Sequence, residues 1–335
     1  MSLSSLLNGS NPNQKVFQGI LKEIIPNKKP FKTNSGKEAF SKTQYETLVP
    51  YTLLNNYHSS VLGTAFDYLA RVMLARVVKK NREQSYTRLV AELGFMKLSE
   101  QFLQNHPLIE SKIEKKLKTA IKNLKAFTNY KKDVNELALD VCFLAKLEHV
   151  LRSGLPPADL FEDSFFDEPA DEILQELISL CDVFQKKFVS TIVSPTSEII
   201  YNPDFRPASA FVGGADGDVM IDGTLYDFKT AKSIGYKWQE VAQMVGYFLL
   251  NEISLDVNNA DDNYFEDDSY QHLDIKRIAF YRARYGEIEY IDISYFEKKL
   301  IEITKKKLAT YFVKNPNLHR AMIENLHILE ALSNA

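Results

Sequence analysis

The chain has 335 residues, with 41 lysines and arginines against 44 aspartates and glutamates, a net charge of −3. That balance excludes a protein whose whole surface grips nucleic acid, but it leaves room for one basic cleft. A hydrophobic share of 45% excludes a disordered chain, and the two distant cysteines, Cys142 and Cys181, exclude a disulfide framework, a cysteine-rich zinc ribbon and a four-cysteine iron–sulfur cluster.

The opening MSLSSLLNGSNPNQ has no basic stretch, and no run approaches the roughly 18 apolar residues of a membrane span. The expectation is a reduced, cytoplasmic, soluble protein with no membrane partner. Residues 1–50 read as an irregular extension in which 16–25 can form a helix. The first strong helical pattern is 61–80, where Leu62, Phe66, Leu69, Met73 and Val77 recur at three- and four-residue spacing as one buried stripe. Helical periodicity continues to about residue 190. It includes a lysine-rich block at 112–132, which suits either a nucleic-acid backbone or a solvated helix face. An acidic block at 162–176 follows the Pro156–Pro157 break.

The character changes near Glu198. Segments 210–212, 218–221, 224–229, 275–283 and 287–293 read as strands, with Asp222-Gly223 and Tyr285-Gly286 as turns. A helix is expected at 237–251, then an acidic loop over 256–268, and further helices at 295–313 and 318–332. The fold class expected is α/β, a mixed central sheet flanked by helices. Its core would comprise 51–80 and 195–313, interrupted by a large all-helical insertion at 81–194 and followed by a C-terminal helix in 314–335.

The segment that carries chemistry is 213–232, GGADGDVMIDGTLYDFKTAK. With Asp222-Gly223 as a two-residue turn, Ile221 faces Thr224, Met220 faces Leu225 and Val219 faces Tyr226, so Asp218 lies opposite Asp227. Directly opposed Cβ atoms are roughly 5 Å apart. Lys229 points to the same face as Asp227, about 6–7 Å along the strand. Like charges facing each other destabilise a ladder, so two opposed aspartates on an otherwise apolar hairpin need a neutralising partner. A divalent cation is the natural one, because hard cations take carboxylate oxygens. The competing reading is a pair of solvated acids on an exposed sheet face. An EF-hand fails, since the sixth position of its loop lacks glycine.

Asp218, eight intervening residues and then Asp227-Phe228-Lys229, with a glycine pair just upstream, resembles the PD-(D/E)XK nuclease superfamily and most closely its RecB-type branch. That branch carries a Q-x-x-x-Y motif on the next helix, matched here by Gln243 and Tyr247, with Gln239 on the same helix face. Gly63-Thr-Ala-Phe-Asp67 is similar to the branch's glycine–x–x–x–histidine, with Asp67 in the histidine's place. Asp67 is also open to reading as an ordinary helix-surface acid. Two features depart from the branch: Gly217 rather than proline precedes Asp218, and its cluster cysteines are absent. The match spans 57–74 and roughly 208–295.

The resemblance implies a restriction-endonuclease-like core and a metal-dependent DNA nuclease acting by metal-activated water. Asp67, Asp218, Asp227 and the backbone carbonyl of Phe228 would hold Mg2+ or Mn2+, since oxygen donors favour these over zinc. Lys229 would orient water and stabilise developing charge, and Gln243 and Tyr247 would contact substrate or hold the lysine. Gln239, Arg282 and Arg284 are substrate-binding candidates, the arginines because guanidinium pairs with phosphate in bidentate fashion. A solvated edge explains the arginines equally well. RNA remains open as substrate, because a phosphate-centred site does not see the 2′-hydroxyl. The alternative is a nuclease-like, non-catalytic subunit that binds nucleic acid or assembles beside a helicase or other motor in a DNA-processing or phage-defence complex. No GxxxxGK[ST], GxSxG or HExxH motif is present.

Overall fold

Six strands form one mixed sheet: β1 (Lys32–Thr33), β2 (Ile199–Tyr201), β3 (Val219–Ile221), β4 (Thr224–Lys229), β5 (Arg277–Arg282) and β6 (Glu287–Asp292). Their order is β1-β6-β5-β4-β3-β2. Of the five pairings only β4–β5 is parallel, so those two strands are joined by a helical crossover. The computed structural model describes residues 2–53, 55–260, 272–316 and 325–334.

The helices are α1 (Leu3–Asn8), α2 (Pro12–Lys22), α3 (Asn56–Val77), α4 (Val90–Phe102), α5 (Pro107–Thr128), α6 (Val134–Ser153), α7 (Asp171–Phe184), α8 (Ser190–Ile192), α9 (Ala208–Phe211), α10 (Trp238–Ala260), α11 (Lys298–Lys314) and α12 (Leu326–Asn334). Several begin on local chemistry. Asn55 caps the start of α3 by accepting from the His58 backbone amide. Asp133 and Glu136 form a reciprocal capping box on α6.

The hairpin turn adopts the expected register. Asp222 and Gly223 both take positive φ, 48° and 79°, as the mirror-image two-residue turn requires. Val219 pairs with Tyr226, Met220 with Leu225 and Ile221 with Thr224. Side-chain alternation then sorts β4 between two hydrophobic clusters. Tyr226 and Phe228 join Phe66 of α3, Phe184 of α7 and Tyr281 of β5. A π-helical turn at Gln185–Val189 adds Phe188. Phe188 lies 4.9 Å from Tyr226 and 5.6 Å from Phe228 by ring centroid, both edge-on. Such pairs contribute about 0.5–1.5 kcal/mol each beyond the area they bury. On the opposite face Met220, Leu225, Ile278 and Phe280 pack with α10, α11 and the N-terminal helices.

Several expectations need correction. Segment 210–212 is not a strand: Ala208–Phe211 is helical. Residues 1–50 do more than extend the chain, because they supply edge strand β1 and bury Leu3, Leu6, Leu7 and Phe17 in the α10 layer. Helix α10 continues through Ala260, so 256–260 is helix rather than loop, while 261–268 lies outside the described residues, as does 318–324 of the expected last helix. Glu176, in the acidic block, is buried and ion-paired to Arg284. Among the described residues no helix is long and apolar enough to cross a membrane.

Candidate active site

β4 delivers Asp227 and Lys229 to the α10 side of the sheet, two residues apart on one face. Asp227 is only 6% exposed, and Lys229 Nζ lies 2.7 Å from its Oδ2. Asp218 immediately precedes Val219, the last paired residue of β3, so it lies across from Asp227 where the hairpin ladder ends. Its Oδ2 accepts the Phe228 amide at 2.6 Å. The reading of two solvated acids on an open face does not survive this burial.

Backbone geometry gives Phe228 a defined place. The Lys229 carbonyl accepts from Ala283 N at 2.9 Å, on the β5 side. Successive residues of a strand direct their polar groups to opposite neighbours, so the Phe228 amide and carbonyl turn toward Asp218, past the end of β3.

Asp67 reaches the same region from mid-α3, and its carboxyl is held well above the usual range by burial and then by the charge of Asp218, with Arg71 opposing. Burial and the neighbouring Asp227 push Asp218 up to about 7. Burial also raises Asp227, although the Lys229 ammonium opposes it. Burial alone would lower Lys229; the charge of the adjacent Asp227 outweighs it and holds the ammonium above its ordinary value. Each of the three carboxyls is thus raised, and Lys229 is the cation in direct contact with one of them, Asp227.

On α10, Gln243 Nε2 donates to Tyr247 Oη at 2.7 Å. The Tyr247 ring stacks on Phe205 at 4.9 Å. Burial, then the charges of Asp216 and Asp227, raise its hydroxyl well above the ordinary value. Gln239 sits half-buried in the first turn of the same helix.

The two expected phosphate contacts are not presented to a ligand. Arg282 is 3% exposed, with Nε on Glu289 at 2.7 Å and Nη1 on Glu240 at 2.8 Å. Arg284 is 1% exposed, donates from Nε to the Thr230 carbonyl at 2.6 Å and pairs with Glu176. Both guanidinium groups are buried inside the fold. The lysines of 112–132 lie on α5, where Lys118 pairs with Glu114 one turn back at 2.6 Å, the pattern of a solvated face.

Three charged residues not singled out by sequence lie next to the acids. Glu240 acts on both Asp227 and Lys229, and although burial opposes it, Arg282 and Lys229 hold its carboxyl below the usual range. Arg71 follows Asp67 by one helical turn and is buried. Arg152, from α6, bridges Glu148 at 2.6 Å and Asp216 at 3.8 Å. The four-residue step from Asp67 to Arg71 was visible in the sequence; the approach of α6 was not.

The donors available are carboxylate and carbonyl oxygens, the chemistry of a hard divalent cation. Among the described residues no three acidic, histidine or cysteine side chains already form a group able to hold a metal ion. Asp227 is engaged by Lys229 and Asp218 by an amide, so binding would exchange those contacts for the ion. No protein-family model, curated protein or solved structure matches the chain.

Proposed function

We propose that the protein is a metal-dependent DNA nuclease of the PD-(D/E)XK type, with a RecB-like, restriction-endonuclease-like core interrupted by the helical segment 81–194. The observation that carries this reading is the strand face on which half-buried Asp218 lies across from buried Asp227 at a ladder end, with Lys229 2.7 Å from Asp227. Opposed buried carboxylates are costly unless a counter-charge joins them. The hydrogen-bonded Gln243–Tyr247 pair beside them supports the same reading.

Asp218, Asp227, Asp67 and the Phe228 carbonyl would hold Mg2+ or Mn2+. A divalent ion, when bound, lowers the pKa of water and neutralises charge on the phosphate. Lys229, released from Asp227, aims an ammonium at the reacting oxygens and stabilises charge that develops there. Tyr247, fixed by Phe205, holds the Gln243 amide in place along the substrate.

The test is cleavage of linear, circular, single- and double-stranded DNA with Mg2+ or Mn2+, run beside Lys229→Ala and Asp227→Ala. Cleavage that needs the metal and disappears in both variants is expected, a loss on the order of a thousandfold or more for groups acting on the reacting atoms. Cleavage that survives both substitutions, or proceeds after chelation, rules the assignment out. DNA binding without turnover in the wild type would instead support the non-catalytic subunit, with a motor or helicase as partner.

A further inference from the structure

Arg71 is 6% exposed, and its Nε is buried without a hydrogen-bond partner. Among the described residues its guanidinium forms no ion pair and no hydrogen bond. That is unusual chemistry, because a buried guanidinium is normally paired: removing a charge from water costs several kcal/mol that only a counter-charge offsets. Arg282 and Arg284 each keep a buried Nη2 without a partner too, but both have carboxylates, Arg282 with Glu289 and Glu240 and Arg284 with Glu176, which Arg71 lacks among the described residues.

The position is as informative as the missing partner. Arg71 follows Asp67 by four residues in α3, so the two share one helix face. Its charge acts on both Asp67 and Asp218, yet it approaches neither closely enough to pair. The guanidinium is also held in place. It lies over the Tyr68 ring at 5.4 Å, and Tyr68 is fixed by donating to Glu148 at 2.7 Å and accepting from the Ala91 amide at 3.1 Å. Glu148 is itself committed to Arg152. What remains is a preorganised cation with unused donors, one helical turn from a proposed metal ligand.

We propose that Arg71 binds the phosphodiester, its guanidinium taking a non-bridging phosphate oxygen beside Asp67 and Asp218. This rests on the nuclease reading above, and it assigns to Arg71 the phosphate contact that Arg282 and Arg284, paired internally, do not make. Guanidinium matches phosphate geometry with paired donors, which ammonium does not reproduce. A contact made equally in ground and transition states is expressed in KM rather than kcat.

Steady-state cleavage of a labelled DNA oligonucleotide with Mg2+ tests it, comparing wild type, Arg71→Gln and Arg71→Lys and measuring the melting temperature of each. Arg71→Gln should raise KM about ten- to a hundredfold, the loss of a charge-assisted hydrogen bond. Arg71→Lys should recover part of that. Melting should hold or rise in Arg71→Gln, since an unpaired buried charge has gone. A KM within threefold of wild type overturns the inference and leaves the nuclease reading standing, as does a melting temperature lowered by several degrees with KM unchanged. If Arg71→Gln does not fold, Arg71→Lys decides: a raised KM at unchanged kcat supports the contact and an unchanged KM overturns it. No cleavage by the wild type removes the nuclease reading and this inference with it.

Discussion

Asp218 carries a carboxyl whose proton affinity changes on folding, from an ordinary value of 3.8 to about 7, because burial and Asp227 both disfavour the anion. The direction of the linkage follows. Below pH 4 the group is protonated in both states and contributes nothing. As pH rises through the window between the two values, the unfolded chain ionises and the folded one resists, so stability is lost and the loss levels off above 7. Asp218→Asn has no proton to lose. In chelator, its melting temperature should pull ahead of wild type progressively from pH 4 to pH 7, and excess Mg2+ should close the gap by stabilising only the wild type. Equal melting curves at pH 5 and pH 7.5 would show that the Asp218–Asp227 juxtaposition carries no strain. The opposition itself is legible in the sequence, since one turn dipeptide and a two-residue period dictate it. The orphaned Arg71 was not, because burial without a partner is a property of the packed neighbourhood.

At the scale of elements, the all-helical segment depends on close approach. A Cβ added at Gly94 of α4 would lie 1.9 Å from the Leu147 carbonyl oxygen of α6, a backbone atom that cannot rotate away. Gly94→Ala should therefore separate α4 from α6 and destabilise the fold by about 1–3 kcal/mol or more, despite alanine's better helix propensity. Urea unfolding measures it, and a variant as stable as wild type would mean that the two helices slide freely. Element types were readable where period and length agreed: β4 spans 224–229 as expected. They failed where runs were short. The segment 210–212 offers three apolar residues, too few to distinguish strand from helix. β1 and β2, two and three residues long, are strands only because β6 and β3 lie beside them. Arg282 ends β5 and Arg284 lies in the turn beyond it, and the spacing of the two arginines does not disclose which carboxylates cover them.

For the whole molecule, the ion pair of Glu176 with Arg284 ties three separate stretches of chain together. Glu176 belongs to α7, and Arg284 follows β5. Glu176 also accepts from the amide and hydroxyl of Thr52 at 3.1 and 2.9 Å, while Arg284 Nη1 donates to the Pro50 carbonyl at 3.0 Å. Arg284 Nε further holds the Thr230 carbonyl, one residue beyond Lys229. Breaking a buried pair leaves an uncompensated charge, so Glu176→Ala should lose about 3–5 kcal/mol of unfolding free energy. Replacing both partners with apolar residues, Glu176→Leu with Arg284→Met, should restore much of that, because no charge is then stranded. Function separates the two variants. The double variant still lacks the grip on Thr230, so it should melt near wild type yet cleave more slowly through a loosely positioned Lys229. Near-wild-type cleavage in a stable double variant would show that Lys229 is positioned by its strand alone, without the buried pair that joins the helical segment to the sheet.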